Sequence, residues 1–127
     1  LSITLGSRSL SRLEGVHSDL VRVVKKAAAM SSLDFTVLEG LRTKARQQQL
    51  FQNGATKTMN SRHLNGHAVD LAPMIGGTVS WDWPLYHKLA AIVKAAAVAE
   101  GVPIEWGGDW RSFKDGPHWQ LPWSKYP

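Results

Sequence analysis

The stretch Ser61-Arg62-His63-Leu64-Asn65-Gly66-His67-Ala68-Val69-Asp70-Leu71-Ala72-Pro73 changes its period halfway. Two histidines four apart, His63 and His67, invite a helical pairing, but Asn65-Gly66 breaks a helix and the residues after it alternate as in a strand. This predicts a polar loop over 60–66 and a strand over 67–72, stopped by Pro73. His67, Val69 and Leu71 then share one face, while Ala68, Asp70 and Ala72 share the other. Asp70 meets His63 at the entrance of the strand, and His67 points away. A carboxylate set between Val69 and Leu71 is costly unless a cation answers it. A bound metal and a partner arginine would both do so, and alternation alone does not choose between them.

Outward from this segment, Leu13, Val16, Leu20, Val23, Val24 and Ala27 recur at helical spacing and predict one amphipathic helix running to about Met30. Phe35 to Leu38 reads as a short strand ended by Gly40. Thr43 is placed to N-cap a second helix that stops at Asn53-Gly54. Gly76-Gly77 turns the chain into a strand over Thr78–Trp81, and Pro84 opens a long helix closing at Gly101. Ile104–Trp106 and His118–Leu121 are the final strands. Helices mixed with short, hairpin-linked strands predict an α+β fold, a small, largely antiparallel sheet packed with about three helices.

The 127 residues contain no repeat, low-complexity tract or Pro- or Ser-rich linker, so one domain spanning 1–127 is expected, without a separate binding module. No apolar run approaches the roughly 20 residues that span a bilayer, so stable membrane insertion is not expected. The first residues lack the basic segment and apolar run of a signal peptide. With no cysteine, disulfides and thiolate metal sites are excluded, and any zinc must be held by histidine and carboxylate. Fifteen Lys and Arg against ten Asp and Glu give a net charge of +5, which favours polyanionic surroundings without choosing among nucleic acid, lipid and cell envelope.

A second cluster follows the long helix: Trp106-Gly107-Gly108-Asp109-Trp110, then Asp115-Gly116-Pro117-His118-Trp119-Gln120. Pro117 fixes the backbone before His118, which then stands at the start of a strand as a good third metal ligand. Zinc hydrolases keep three protein ligands and leave a fourth position for water. Asp115 would lie beside that water as a general base, although a lone Asp-x-x-His is by itself more simply a turn with a solvated acid.

Together, Ser61-x-His63-x-x-Gly66-x-Ala68-x-Asp70 and Asp115-x-x-His118-Trp119 resemble the signature of the zinc D-alanyl-D-alanine carboxypeptidase and L-alanyl-D-glutamate peptidase family. The run from Trp106 to Gln120 looks most like the phage endolysin branch. Gly40-Leu41-Arg42-Thr43, with Gln47, Leu50, Phe51 and Gly54, is similar to the arginine-bearing segment that precedes the zinc motif there. The resemblance covers about Phe35 to Leu121. It implies zinc held by His63, Asp70 and His118, catalysis by Asp115, and Arg42 contacting the substrate near the scissile carbonyl. It also implies a supporting hydrogen-bonding role for Ser61. Asp115 stands where the carboxypeptidase branch commonly has glutamate, which agrees with the endolysin branch.

The function implied is a zinc-dependent L-alanyl-D-glutamate endopeptidase that cuts peptidoglycan stem peptides, as a phage endolysin does. Such an enzyme waits in the host bacterial cytoplasm until another protein breaches the membrane, then acts on the wall. A monomer without a nucleic-acid partner is expected. A D-alanyl-D-alanine carboxypeptidase is the nearest alternative, and a basic metal-dependent nuclease is one of another class, suggested by the charge and by His63, Asn65 and His67. The nuclease leaves Asp115 and His118 idle. A wall-binding domain that has lost its chemistry would likewise have no need of Asp115. Trp110, in the loop between the clusters, is predicted to line a substrate groove, whereas Trp81, Trp106 and Trp119 are assigned to the core. Asp109 is predicted either to orient a ligand histidine or to cap a turn, and His17 and His87 are placed on helices at or near the surface.

Overall fold

In the computed structural model, which describes residues 2–56 and 58–127, the core forms between two helices and one face of a sheet. Helix α1 spans Ser7–Arg12 and α2 spans Ser18–Met30. The single first helix expected from periodicity is therefore two. The chain turns between them, and the ring of His17 caps α2 by accepting from the backbone N–H of Asp19 at 3.0 Å. His17 thus ends a turn rather than sitting within a helix. Leu20, Val23, Val24 and Ala27 of α2 are completely buried, as their spacing requires.

Strand β1 is Phe35–Glu39, and α3, Lys44–Gln52, starts at Thr43, whose hydroxyl accepts from the N–H of Arg46. Strand β2 is Ala68–Ile75, β3 is Thr78–Val79, α4 is Trp83–Glu100, β4 is Glu105–Trp106 and β5 is His118–Gln120. The sheet runs β1-β2-β5-β4 with β3 paired to β2, and every pairing is antiparallel. Helix α4 packs along α2 and lies against β2, and α1 lies against β1. The α+β architecture expected from the sequence is the one observed, with four α-helices among the described residues.

Pro73 does not stop β2. Its carbonyl accepts from Ser80 N–H at 2.9 Å, so its missing N–H falls on that same edge, beyond His118 at the start of β5. A proline there removes no ladder bond. Strand β3 is shorter than expected and ends at Val79. Trp81 consequently lies outside the ladder and is 63% exposed, against the expectation of a core residue. Trp106 and Trp119 are buried as expected and stack with ring centroids 5.7 Å apart.

The sheet separates two kinds of face. Val69 pairs with Trp119 and Leu71 with Val37, all buried in the common core. Asp70 pairs with His118 on one side and Glu39 on the other, a polar row across three strands on the opposite face. Glu39 joins that row because the register shifts between Val37 and Glu39. In a regular ladder Leu38 would stand opposite Asp70, and Glu39 would face Val69 on the core side.

Candidate metal centre

Each of the three residues reaches the centre from a different local structure. His63 lies in a 3-10 turn, Arg62–Asn65, inside the stretch expected to be loop. The hydroxyl of Ser61 caps this turn by accepting from His63 N–H at 3.2 Å. Gly66 closes it at φ 77°, and a Cβ there would stand 2.3 Å from the carbonyl oxygen of Gly15. Asp70 comes from β2 and His118 from the first position of β5.

The three side chains each offer one ligand-type atom, and those atoms all lie within 4.8 Å of one another. Nε2 of His63 is 3.2 Å and Nδ1 of His118 is 3.5 Å from the same oxygen, Oδ1 of Asp70. The other ring nitrogens are engaged elsewhere. His63 Nδ1 is 2.8 Å from the carbonyl oxygen of Gly40, and His118 Nε2 is 2.7 Å from Oε1 of Gln120. Both outer partners are acceptors, so with a metal in place each imidazole would keep its proton on the outer nitrogen and turn a lone pair inward. Two imidazole nitrogens and a carboxylate oxygen, oriented this way, suit a divalent metal of the zinc type.

Without a metal the three groups hold one another by charge and hydrogen bonding. Burial pushes the Asp70 carboxyl up, but hydrogen bonds and charge from His118 and His63 outweigh it and hold the group well below the usual carboxylate range. Burial lowers His118, yet its hydrogen bond to Asp70 and that carboxylate's charge raise it overall. Asp115 is raised, first by burial and then by the negative charge of Asp70. Tyr86, whose hydroxyl is buried without a hydrogen-bond partner among the described residues, is pushed up to about 12 by burial and by the charges of Asp115 and Asp70.

Around this centre is a cavity of about 460 Å³, lined by Glu39, Arg42, Ser61, Trp110 and Asp115 among others. The side chain of Arg42, just before α3, is turned inward and 8% exposed. Its Nε and Nη2 donate to the two oxygens of Glu39 at 2.6 and 3.1 Å, and Nη1 donates to Gln47 Oε1 at 2.7 Å. Nη2 also lies 3.6 Å from Oδ2 of Asp70, so that carboxylate has both an arginine and two histidines as neighbours. Asp115 sits in a turn, its N–H donating to Gly107 and its carbonyl accepting from His118 N–H, while its side chain faces the cavity. Gly107 makes this possible, since a Cβ there would be 2.4 Å from the Asp115 carbonyl oxygen. The ring of Trp110 is 5.2 Å from that of His118. Asp109, by contrast, is exposed and pairs with Lys94 at 2.7 Å, so it neither orients a ligand histidine nor caps a turn with its side chain. His67 lies outside the cluster, its ring packed edge-on near His17 and Tyr126.

Glu39, Gln120 and Trp123 were not singled out from the sequence. Gln120 did carry a signal, because a residue two beyond a ligand on a strand shares its face. Glu39 carried none, since its face depends on the register shift.

A family model described as phage L-alanyl-D-glutamate peptidase matches residues 1–120. The L-alanyl-D-glutamate peptidase of Escherichia phage T5 is 30% identical over 119 residues, covering 91% of this chain and 87% of the relative. That of Listeria phage A118 is 38% identical over 128 residues, covering 94% of this chain but 43% of the longer relative. Among solved structures, the Serratia marcescens L-Ala D-Glu endopeptidase ChiX superposes with a TM-score of 0.90 at 49% identity, covering 95% of this chain and 91% of that one.

Proposed function

This chain belongs to the phage L-alanyl-D-glutamate peptidase family, a group of peptidoglycan-cleaving hydrolases, and from that premise we propose that it cuts the L-alanyl-D-glutamate bond of wall stem peptides using zinc bound by His63, Asp70 and His118. The observation that carries the reading is the convergence of these three side chains within 4.8 Å on a cavity wall shared with Asp115. Zinc in that position supplies a Lewis acid for the scissile carbonyl and lowers the pKa of water toward about 7.

The chain's own groups do the rest. Asp115, raised by burial, accepts a proton from the attacking water and delivers it to the departing amine of D-glutamate. The guanidinium of Arg42, held rigid by Glu39 and Gln47, faces the oxygen on which negative charge develops. Gly40 and Gln120 keep the two imidazoles in the ligating tautomer. Trp110 walls the cavity beside His118, and Ser61 steadies His63 while its own hydroxyl proton stays free to reach substrate. The role of endolysin, held in the host until the membrane is breached, fits a chain in which no described helix is long and apolar enough to cross a membrane.

Metal analysis joined to a wall-lysis assay tests the reading. Asp115→Ala is expected to keep zinc and lose lysis by about 100-fold or more. Loss of zinc from that variant would make Asp115 a ligand, and retained lysis would remove it from the mechanism. Release of D-alanine from purified muropeptides, in place of a new D-glutamyl amino terminus, would reassign the enzyme as a carboxypeptidase.

A further inference from the structure

We propose that Trp123 is the platform for the muramoyl sugar to which the stem peptide is attached, so that the cavity carries a glycan subsite beside its peptide site. The inference rests on the stem-peptide reading above.

Trp123 lines the cavity of the metal centre and is 47% exposed. Its ring does not hang free. The guanidinium carbon of Arg62 sits 3.8 Å from the ring centroid, and Arg62 is itself buried, its nitrogens donating to the carbonyls of Leu121 and Tyr126. The indole is therefore clamped from one side and open on the other. Arg62 immediately precedes His63, so the indole is held in place relative to the centre.

The substrate's chemistry supplies the ligand. L-Alanine is the first residue of the stem, and its amino group is joined through a lactyl ether to the muramoyl ring. The pyranose therefore lies within about 8 Å of the scissile carbonyl, one peptide unit and a short linker away. A substrate with that carbonyl at the metal centre brings its sugar within reach of the walls of the same cavity. Trp110 packs against the ring of His118 on this cavity. Trp123 offers a second aromatic surface, with the polar side chains of Thr58 and Asn60 on the same cavity. A pyranose has an apolar C–H face that packs on the negative face of an aromatic ring, while its hydroxyls need polar neighbours at the edge. A ring already immobilised loses little freedom on binding.

The test compares two substrates in the zinc-loaded enzyme: a free stem peptide with an acetylated L-alanine, and the same stem attached to its disaccharide. Wild type is expected to cleave the glycosylated stem with a kcat/KM roughly tenfold higher, mostly through KM. Trp123→Ala should erase that preference, bringing the two substrates to equal kcat/KM. Trp123→Phe, which keeps a ring against Arg62, should retain part of it. Equal cleavage of both substrates by wild type, or a parallel loss on both in the variants, overturns the sugar subsite. If wild type cleaves neither, the stem-peptide reading itself fails, and the subsite falls with it.

Discussion

Asp70 and His118 form a charge pair whose two halves shift in opposite directions, the carboxyl down and the imidazole up. The signs make a pH prediction for the metal-free protein. The raised His118 contributes stability that is present below the ordinary imidazole value of about 6.5 and is lost as pH rises through its folded value. The depressed Asp70 contributes stability that is present above about 3.9 and is lost as pH falls toward its folded value. In the proposed zinc site the metal displaces the His118 proton, so zinc affinity should rise between pH 6 and pH 8 with proton release, measurable by calorimetry in buffers of different ionisation enthalpy. Affinity independent of pH over that range would mean that His118 is not the displaced group. At the same scale, Arg42→Ala removes the cation proposed to face the developing oxyanion and should lower kcat about 100- to 1000-fold with zinc content unchanged. Glu39→Gln keeps an acceptor for the fork but removes its charge, and should show a smaller loss in the same steady-state assay.

Individual elements place these residues by small departures from regularity. The register shift in β1 exchanges the faces of Leu38 and Glu39, putting an acid where Arg42 needs an anchor. The 3-10 turn of Arg62–Asn65 aims His63 at Asp70 while Gly66 lets the chain pass close to Gly15. Between β4 and β5, Gly107 lies under the turn that carries Asp115 and His118. Gly107→Ala should therefore push that turn outward, at a cost of about 1–3 kcal/mol in stability. Activity should fall by tenfold or more, with far-ultraviolet circular dichroism unchanged. Normal activity in a folded Gly107→Ala protein would show that the turn can move without disturbing Asp115.

Across the whole molecule, the last residues clasp the first half of the chain. Arg62, buried between them, donates to Leu121 and Tyr126 and stacks on Trp123, and the hydroxyl of Tyr126 donates to Asp19 at 2.7 Å. Ending the chain at Leu121 would leave a buried guanidinium short of partners. The expected loss is about 1–3 kcal/mol, read from the midpoint of denaturant unfolding. Zinc affinity should fall as well, because the clasp ends next to His63. An unchanged midpoint would show that solvent satisfies Arg62 once the tail is gone.

Much of this molecule was written in local patterns. The alternation around Asp70, the helical spacing in α2 and the proline before His118 depend only on near neighbours, and each led to the observed element. The motif positions also named the residues that converge, since their chemical types are legible one at a time. What remained hidden depends on contacts between segments distant in the chain. Glu39 takes its face from a shift against β2, Arg42 is drawn inward by Glu39 and Gln47, and Trp123 is clamped by a residue 61 positions earlier. Trp81 failed as a core residue because β3 ended early, and the first helix broke where His17 could cap a second. Local spacing fixes which face a side chain takes within one element; only packing between elements decides whether that face meets core, cavity or water.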